Sequence, residues 1–256
     1  MKKMNKKEPT FVDLLLEAHI GLKRQGPGSY EAMKKAISFL PEPETIKKIA
    51  DLGCGTGSQT MMLAKHFSGE ITGLDLFPDF VEKLNKKAKK YNIDDRVTGV
   101  AGNMEDLPFE KNSFDLIWSE GAIDNIGFEN GMRYWRDFLK KGGYVAVTCP
   151  TWLTEEHPEE VERFWKEAGS NVDTAERNIA IMQNAGYKFV SAFALDDNCW
   201  TENYFIPRKK AIDRLCKKYG DCQTMKEYAL INEKEVELYE KYGEHYGYVF
   251  YIGKAI

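Results

Sequence analysis

A short apolar run that breaks into alternate glycines, Lys48-Ile49-Ala50-Asp51-Leu52-Gly53-Cys54-Gly55-Thr56-Gly57-Ser58, constrains this chain more than any other stretch. It reads as strand, tight turn and helix. Gly53, Gly55 and Gly57 suit a backbone that bends sharply and admits a ligand closely, because a Cβ resists positive φ and blocks the approach. The helical pattern that follows, Gln59 to Phe67, directs its free N–H groups and positive dipole end at that turn. A second strand, Glu70 to Leu76, carries Asp75 at the distance, about 20 residues, where nucleotide-binding βαβ units place a carboxylate for ribose hydroxyls. The spacing is G-x-G-x-G, with Ser58 next, so the glycine that a pyrophosphate needs is missing.

Asp51-Leu52-Gly53-Cys54-Gly55-Thr56-Gly57 followed by Asp75 resembles the signature of the class I S-adenosylmethionine-dependent methyltransferases. The resemblance runs in order from about Ala32 to Leu195 and includes the final strand. It implies an α/β fold with a doubly wound, mostly parallel seven-stranded sheet, Rossmann-like, with N-terminal helices and a helical insertion before the last strand. It further implies S-adenosyl-L-methionine as cofactor and a small-molecule acceptor. The cofactor residues would be Asp51, Gly53, Cys54, Gly55, Gly57, Asp75, Leu76, Asn103, Met104 and Ser119. After its third strand the family usually has G-D-x, whose acid accepts from the adenine amino group. Here Gly102-Asn103-Met104 stands instead, and an amide oxygen can accept the same bond without the charge. Two other readings stay open: a NAD-type dinucleotide-dependent oxidoreductase, against which the glycine spacing argues, and a non-catalytic cofactor-binding protein.

At 256 residues the chain suits one large α/β domain. It divides into an N-terminal helical cap (1–44), a cofactor-binding core (45–195), an insertion (196–245) and a last strand (246–256). A net charge of -4 gives no general attraction to nucleic acid. No long apolar segment follows the basic opening residues, so neither a secretory signal nor a membrane span is visible, and a cytoplasmic protein is expected. The 5 cysteines are scattered without a CxxC pair, and the 4 histidines lack ligand spacing, so reduced thiols and no metal are expected.

Along the chain, Thr10 and Asp13 form a capping-box pattern before a helix to Ile20, and the Gln25 to Ser29 turn leads to a second helix, Tyr30 to Leu40. This pair suits either a lid hinged at the turn or a hairpin packed on the sheet. Pro78 opens a helix with Phe80, Val81 and Leu84 inward and a lysine-rich face, read as solvated. Strands follow at Arg96 to Ala101 and Ser113 to Glu120, then a helix from about Glu129 to Leu139, a strand from Tyr144 to Cys149, a helix begun by Asp173-Thr174, and a strand from Tyr187 to Leu195. Asp115 reads as structural. Two helices, about Pro207 to Tyr219 and Met225 to Tyr242, precede the last strand from Tyr246. Ligands bind at the carboxyl ends of strands in open α/β sheets, which turns Ser119, Glu120, Asp124 and Asn125 toward the site. Glu120 is the first candidate for a general base, with His19 and His157 behind it. Trp200 and Tyr204, near the start of the insertion, are the candidates for substrate contact, and Phe205 belongs to the same apolar surface.

Overall fold

The computed structural model describes residues 8–220 and 222–256; the basic opening lies outside them. Helices α1 (Phe11–His19) and α2 (Tyr30–Ile37) come first. The core then alternates β1 (Lys48–Leu52), α3 (Ser58–His66), β2 (Glu70–Asp75), α4 (Pro78–Lys90), β3 (Val97–Ala101), β4 (Phe114–Glu120), α5 (Phe128–Arg136) and β5 (Leu139–Trp152). After α6 (Glu159–Glu167), β6 (Asp173–Thr174), α7 (Ala175–Asn184) and β7 (Tyr187–Ala194) come α8 (Ile206–Tyr219), α9 (Gln223–Tyr242) and β8 (Tyr246–Ala255).

The strands lie in the order β3-β2-β1-β4-β5-β8-β7, with β6 beside β5. All pair in parallel except β8, which runs antiparallel between β5 and β7. Winding reverses between β1 and β4, so the connections leaving these strands diverge and open a crevice at their carboxyl ends. One face packs α2, α3 and α4 through Met33, Ala36, Leu63, Leu84 and Ala88. The other packs α5 and α7 through Met132, Trp135 and Met182.

The predicted seven strands are joined by an eighth. Asp173 and Thr174, read as a helix start, first pair with Thr151 and Trp152, because β5 runs beyond the end of β4 and leaves backbone there to be paired. Thr174 then caps α7 by accepting from the Arg177 amide. The helix expected to reach Leu139 stops at Arg136, and Leu139 already pairs with Phe114. The Lys140 to Gly143 stretch is a bulge in which Gly142 takes φ 81°, so β5 continues through the glycines that read as a helix stop.

The capping box at Thr10 and Asp13 forms as predicted. α1, however, does not pack on the sheet: Leu14 and Ala18 bury against Ile212, Leu215, Met225 and Tyr228 of α8 and α9. The first helix and the late insertion therefore make a single helical layer. The lysine face of α4 is only partly solvated, since Lys83 donates to the Ile20 carbonyl (2.7 Å) and Lys87 to that of Thr56 (2.7 Å). Asp115 is structural: it accepts from the Lys47 and Lys48 amides and pairs with Lys140. All five cysteines are free thiols. Among the described residues no helix is long and apolar enough to cross a membrane.

Candidate active site

The glycine turn after β1 has the predicted backbone, with φ of 73°, 53° and 81° at Gly53, Gly55 and Gly57. A Cβ at Gly55 would collide with the Gln25 side chain, and one at Gly53 with Ala122. Asp75, at the end of β2, holds the turn by accepting from the Gly55 amide (2.8 Å) and from that of Phe77 (3.0 Å). Burial raises its pKa, and these two N–H groups oppose the rise.

A cavity of about 580 Å³ lies between this edge and the helical layer. The core side brings Gly53, Cys54, Gly55, Asp75, Leu76, Asn103, Met104 and Glu120 into its lining, and the helical side brings Phe11, Leu15, His19, Tyr204, Arg208 and Tyr228. Leu76 is 59% exposed, an apolar side chain open to the cavity. The Asn103 oxygen accepts from the Glu105 amide (3.0 Å), which turns it toward its own backbone.

Three residues expected at the cofactor stand behind the lining. Asp51 is fully enclosed and accepts from the Thr60 hydroxyl (2.6 Å), tying β1 to α3; burial pushes its carboxyl up to about 7, with Glu120 and Asp75 adding to the rise. Gly57 lets α3 approach α4, where a Cβ would strike Leu84. Ser119 is 0% exposed, and strand alternation places it on the face opposite Glu120.

Glu120 is buried with both oxygens engaged, Oε1 by the Trp118 indole N–H (2.9 Å) and Oε2 by Arg24. Arg24 belongs to the segment between α1 and α2, which is held across the crevice. Gln25 Oε1 accepts from the Thr56 amide (3.0 Å) at the start of α3, and the Gly28 amide donates to the Cys199 carbonyl (3.2 Å). Nothing in the local sequence announces Arg24, Gln25 or Arg208, whose partners lie far along the chain.

Of the substrate candidates, Tyr204 lines the cavity and Trp200 does not. Trp200, just before a π-helical turn (Thr201–Phe205), is 0% exposed and stacks on Tyr239 (4.7 Å) and Tyr248 (5.1 Å). Phe205 is core too. His157 stacks on Trp152 (3.8 Å) outside the cavity lining, whereas His19 is in it. Asn125 lines the cavity, and Asp124 is half-buried outside the lining, accepting from the Ser170 hydroxyl (3.2 Å).

A doubly wound sheet with a glycine turn, a carboxylate ending β2 and a crevice at the winding reversal defines the nucleotide-binding α/β class. Residues 49–143, just over a third of the chain, match the methyltransferase domain family. It is 26% identical over 175 residues to a phosphoethanolamine N-methyltransferase of Plasmodium falciparum, covering 66% of this chain and 64% of that one. The chain spans less than two thirds of the length of this and the next curated relatives. The fold is shared with a methyltransferase of Geobacter sulfurreducens solved with S-adenosyl-L-homocysteine, at TM-score 0.79, 20% identity and coverage of 95% and 98%. It is also shared with the [4+2]-cyclase SpnF, at TM-score 0.72, 19% identity and coverage of 98% and 97%.

Proposed function

We propose that the protein transfers the methyl group of S-adenosylmethionine to a small-molecule acceptor by in-line displacement. The observation that carries this reading is the joint placement of the positive-φ glycine turn, Asp75, Leu76, Asn103 and Met104 on one wall of a single cavity. Its size lies within the roughly 300–1,000 Å³ typical of ligand sites. Gly53, Cys54 and Gly55 give the close backbone approach, Asp75 offers its free lone pairs to ribose hydroxyls, and Leu76, Asn103 and Met104 receive the base. The cofactor supplies an activated sulfonium methyl, so the protein's task is alignment and exclusion of water. The helical layer and the Arg24–Glu120 pair serve that task, with Glu120 as a positioning group; a base role for it requires release from Arg24.

The same reading keeps the 1–44 and 196–245 segments as cover for a core of 45–195 and 246–256, and places the protein in the cytoplasm acting on small molecules. Its test is calorimetry with S-adenosylhomocysteine and NAD. The first should bind and the second should not. Asp75→Ala should weaken S-adenosylhomocysteine by roughly 1.5–3 kcal/mol, about 10- to 150-fold. Tight NAD binding, or an unchanged variant, refutes the assignment. Because a cyclase shares the fold, methyl release from labelled cofactor is the second readout.

A further inference from the structure

The wall that the helical layer presents to the cavity contains one connected chain of polar groups. His19 is 8% exposed, and its Nδ1 lies 2.8 Å from the Leu15 carbonyl oxygen. A carbonyl only accepts, so Nδ1 carries the proton. Burial holds the ring neutral, with a pKa lowered to about 4, and Nε2 is left with a lone pair. The Tyr204 hydroxyl donates to that lone pair at 3.3 Å and itself accepts from Arg208 Nη1 at 3.0 Å. Arg208 is in turn committed to Glu235 (2.5 Å). Around the His19 and Tyr204 groups the wall is mostly apolar, formed by Phe11, Leu15, Ile231 and the Tyr228 ring, with the Tyr228 hydroxyl and Asn232 as its further polar groups.

Charge decides what such a wall can receive. Asp75, Glu105 and Glu120 face the cavity, and Arg208 is the single Lys or Arg among the described lining residues. Its charge is matched by Glu235 and Glu120 takes Arg24, so no free cation waits for a phosphate or carboxylate. Enclosing an unpaired anion costs several kcal/mol, whereas a hydroxyl finds a donor and an acceptor side by side.

Resting on the methyltransferase reading, we infer that His19 and Tyr204 form the docking point of the acceptor, and that the acceptor is a neutral, largely apolar molecule presenting a hydroxyl group. The Tyr204 hydroxyl and His19 Nε2 exchange their mutual hydrogen bond for bonds to that hydroxyl. Arg208 and Glu235 keep Tyr204 oriented while this happens. Phosphorylated acceptors are excluded.

The test uses the full chain saturated with S-adenosylhomocysteine and matched pairs of probes: geraniol with geranyl phosphate, and 1-naphthol with 1-naphthyl phosphate. Binding is read by ligand-observed NMR. The neutral member of a pair should bind at least tenfold tighter. Tyr204→Phe should weaken it about tenfold while S-adenosylhomocysteine affinity is unchanged. His19→Asn, whose amide can still donate to Leu15, should do the same and covers the case in which the tyrosine variant folds poorly. The inference is overturned by a phosphate that binds as tightly as its alcohol, by four probes that all fail to bind the saturated protein, or by neutral binding that neither variant changes. Failure of S-adenosylhomocysteine itself to bind is a separate result, and it removes the function on which the inference rests.

Discussion

Glu120→Gln separates an anchor from a base. The side chains of Arg24 and Glu120 are 7% and 1% exposed, so the substitution leaves a guanidinium buried against a neutral amide. Breaking one side of a buried pair costs about 3–5 kcal/mol, chiefly because the surviving charge is uncompensated. The Trp118 indole can still donate to the glutamine oxygen, so this loss belongs to Arg24. Arg24→Met should cost a similar amount through the stranded carboxylate. The double variant should lie within about 2 kcal/mol of the parent rather than at the sum, since no charge is then buried and the Arg24 Nε, which has no partner, is gone as well. Urea unfolding of the four proteins measures the coupling, and calorimetry with S-adenosylhomocysteine shows whether the segment over the crevice still closes. Additive losses, or a Glu120→Gln protein as stable as the parent, would refute the reasoning. A double variant that folds and binds cofactor yet transfers no methyl would make Glu120 a base instead.

Asn103→Asp should bind S-adenosylhomocysteine as well as or better than the parent and Asn103→Leu more weakly; equal affinities in calorimetry would place the residue away from the adenine. Asp51 and His19 pull the pH dependence of stability in opposite directions. The folded pKa of Asp51, about 7 against 3.8, lies above its unfolded value, so its contribution is present at low pH and is lost as pH rises through 7, on the order of 4 kcal/mol in all. His19 has a folded pKa of about 4 against 6.5, so the unfolded chain binds more protons in that window and stability rises with pH by about 3 kcal/mol. Asp51→Asn removes only the first effect. The difference in unfolding free energy, variant minus parent, should therefore climb by several kcal/mol between pH 4 and 7, and a flat difference would show that Asp51 ionises normally.

Local chemistry determined the core from the sequence alone. Gly53 and Gly55 must be glycine for a turn at positive φ, Asp75 follows at a distance set by one strand and one helix, and Pro78 and the Thr10 capping box start helices through their own backbone and side-chain geometry. Such signals act over a few residues, and they were legible for that reason. Tertiary structure decided what no local pattern encodes. The pairing of Arg24 with Glu120 spans 96 positions, joining the segment after α1 to the end of β4, and that of His19 with Tyr204 spans 185 and exists because α1 packs on α8 and α9 rather than on the sheet. Trp200 and Tyr204 are both aromatic and close in sequence, so composition could not tell them apart. The packing of Trp200 against Tyr239 and Tyr248 holds the first in the core, while the second lines the cavity beside His19 and Arg208. Asp51, Gly57 and Ser119 were expected at the cofactor by their position in the sequence, but strand alternation and the approach of α3 to α4 put them behind the cavity lining.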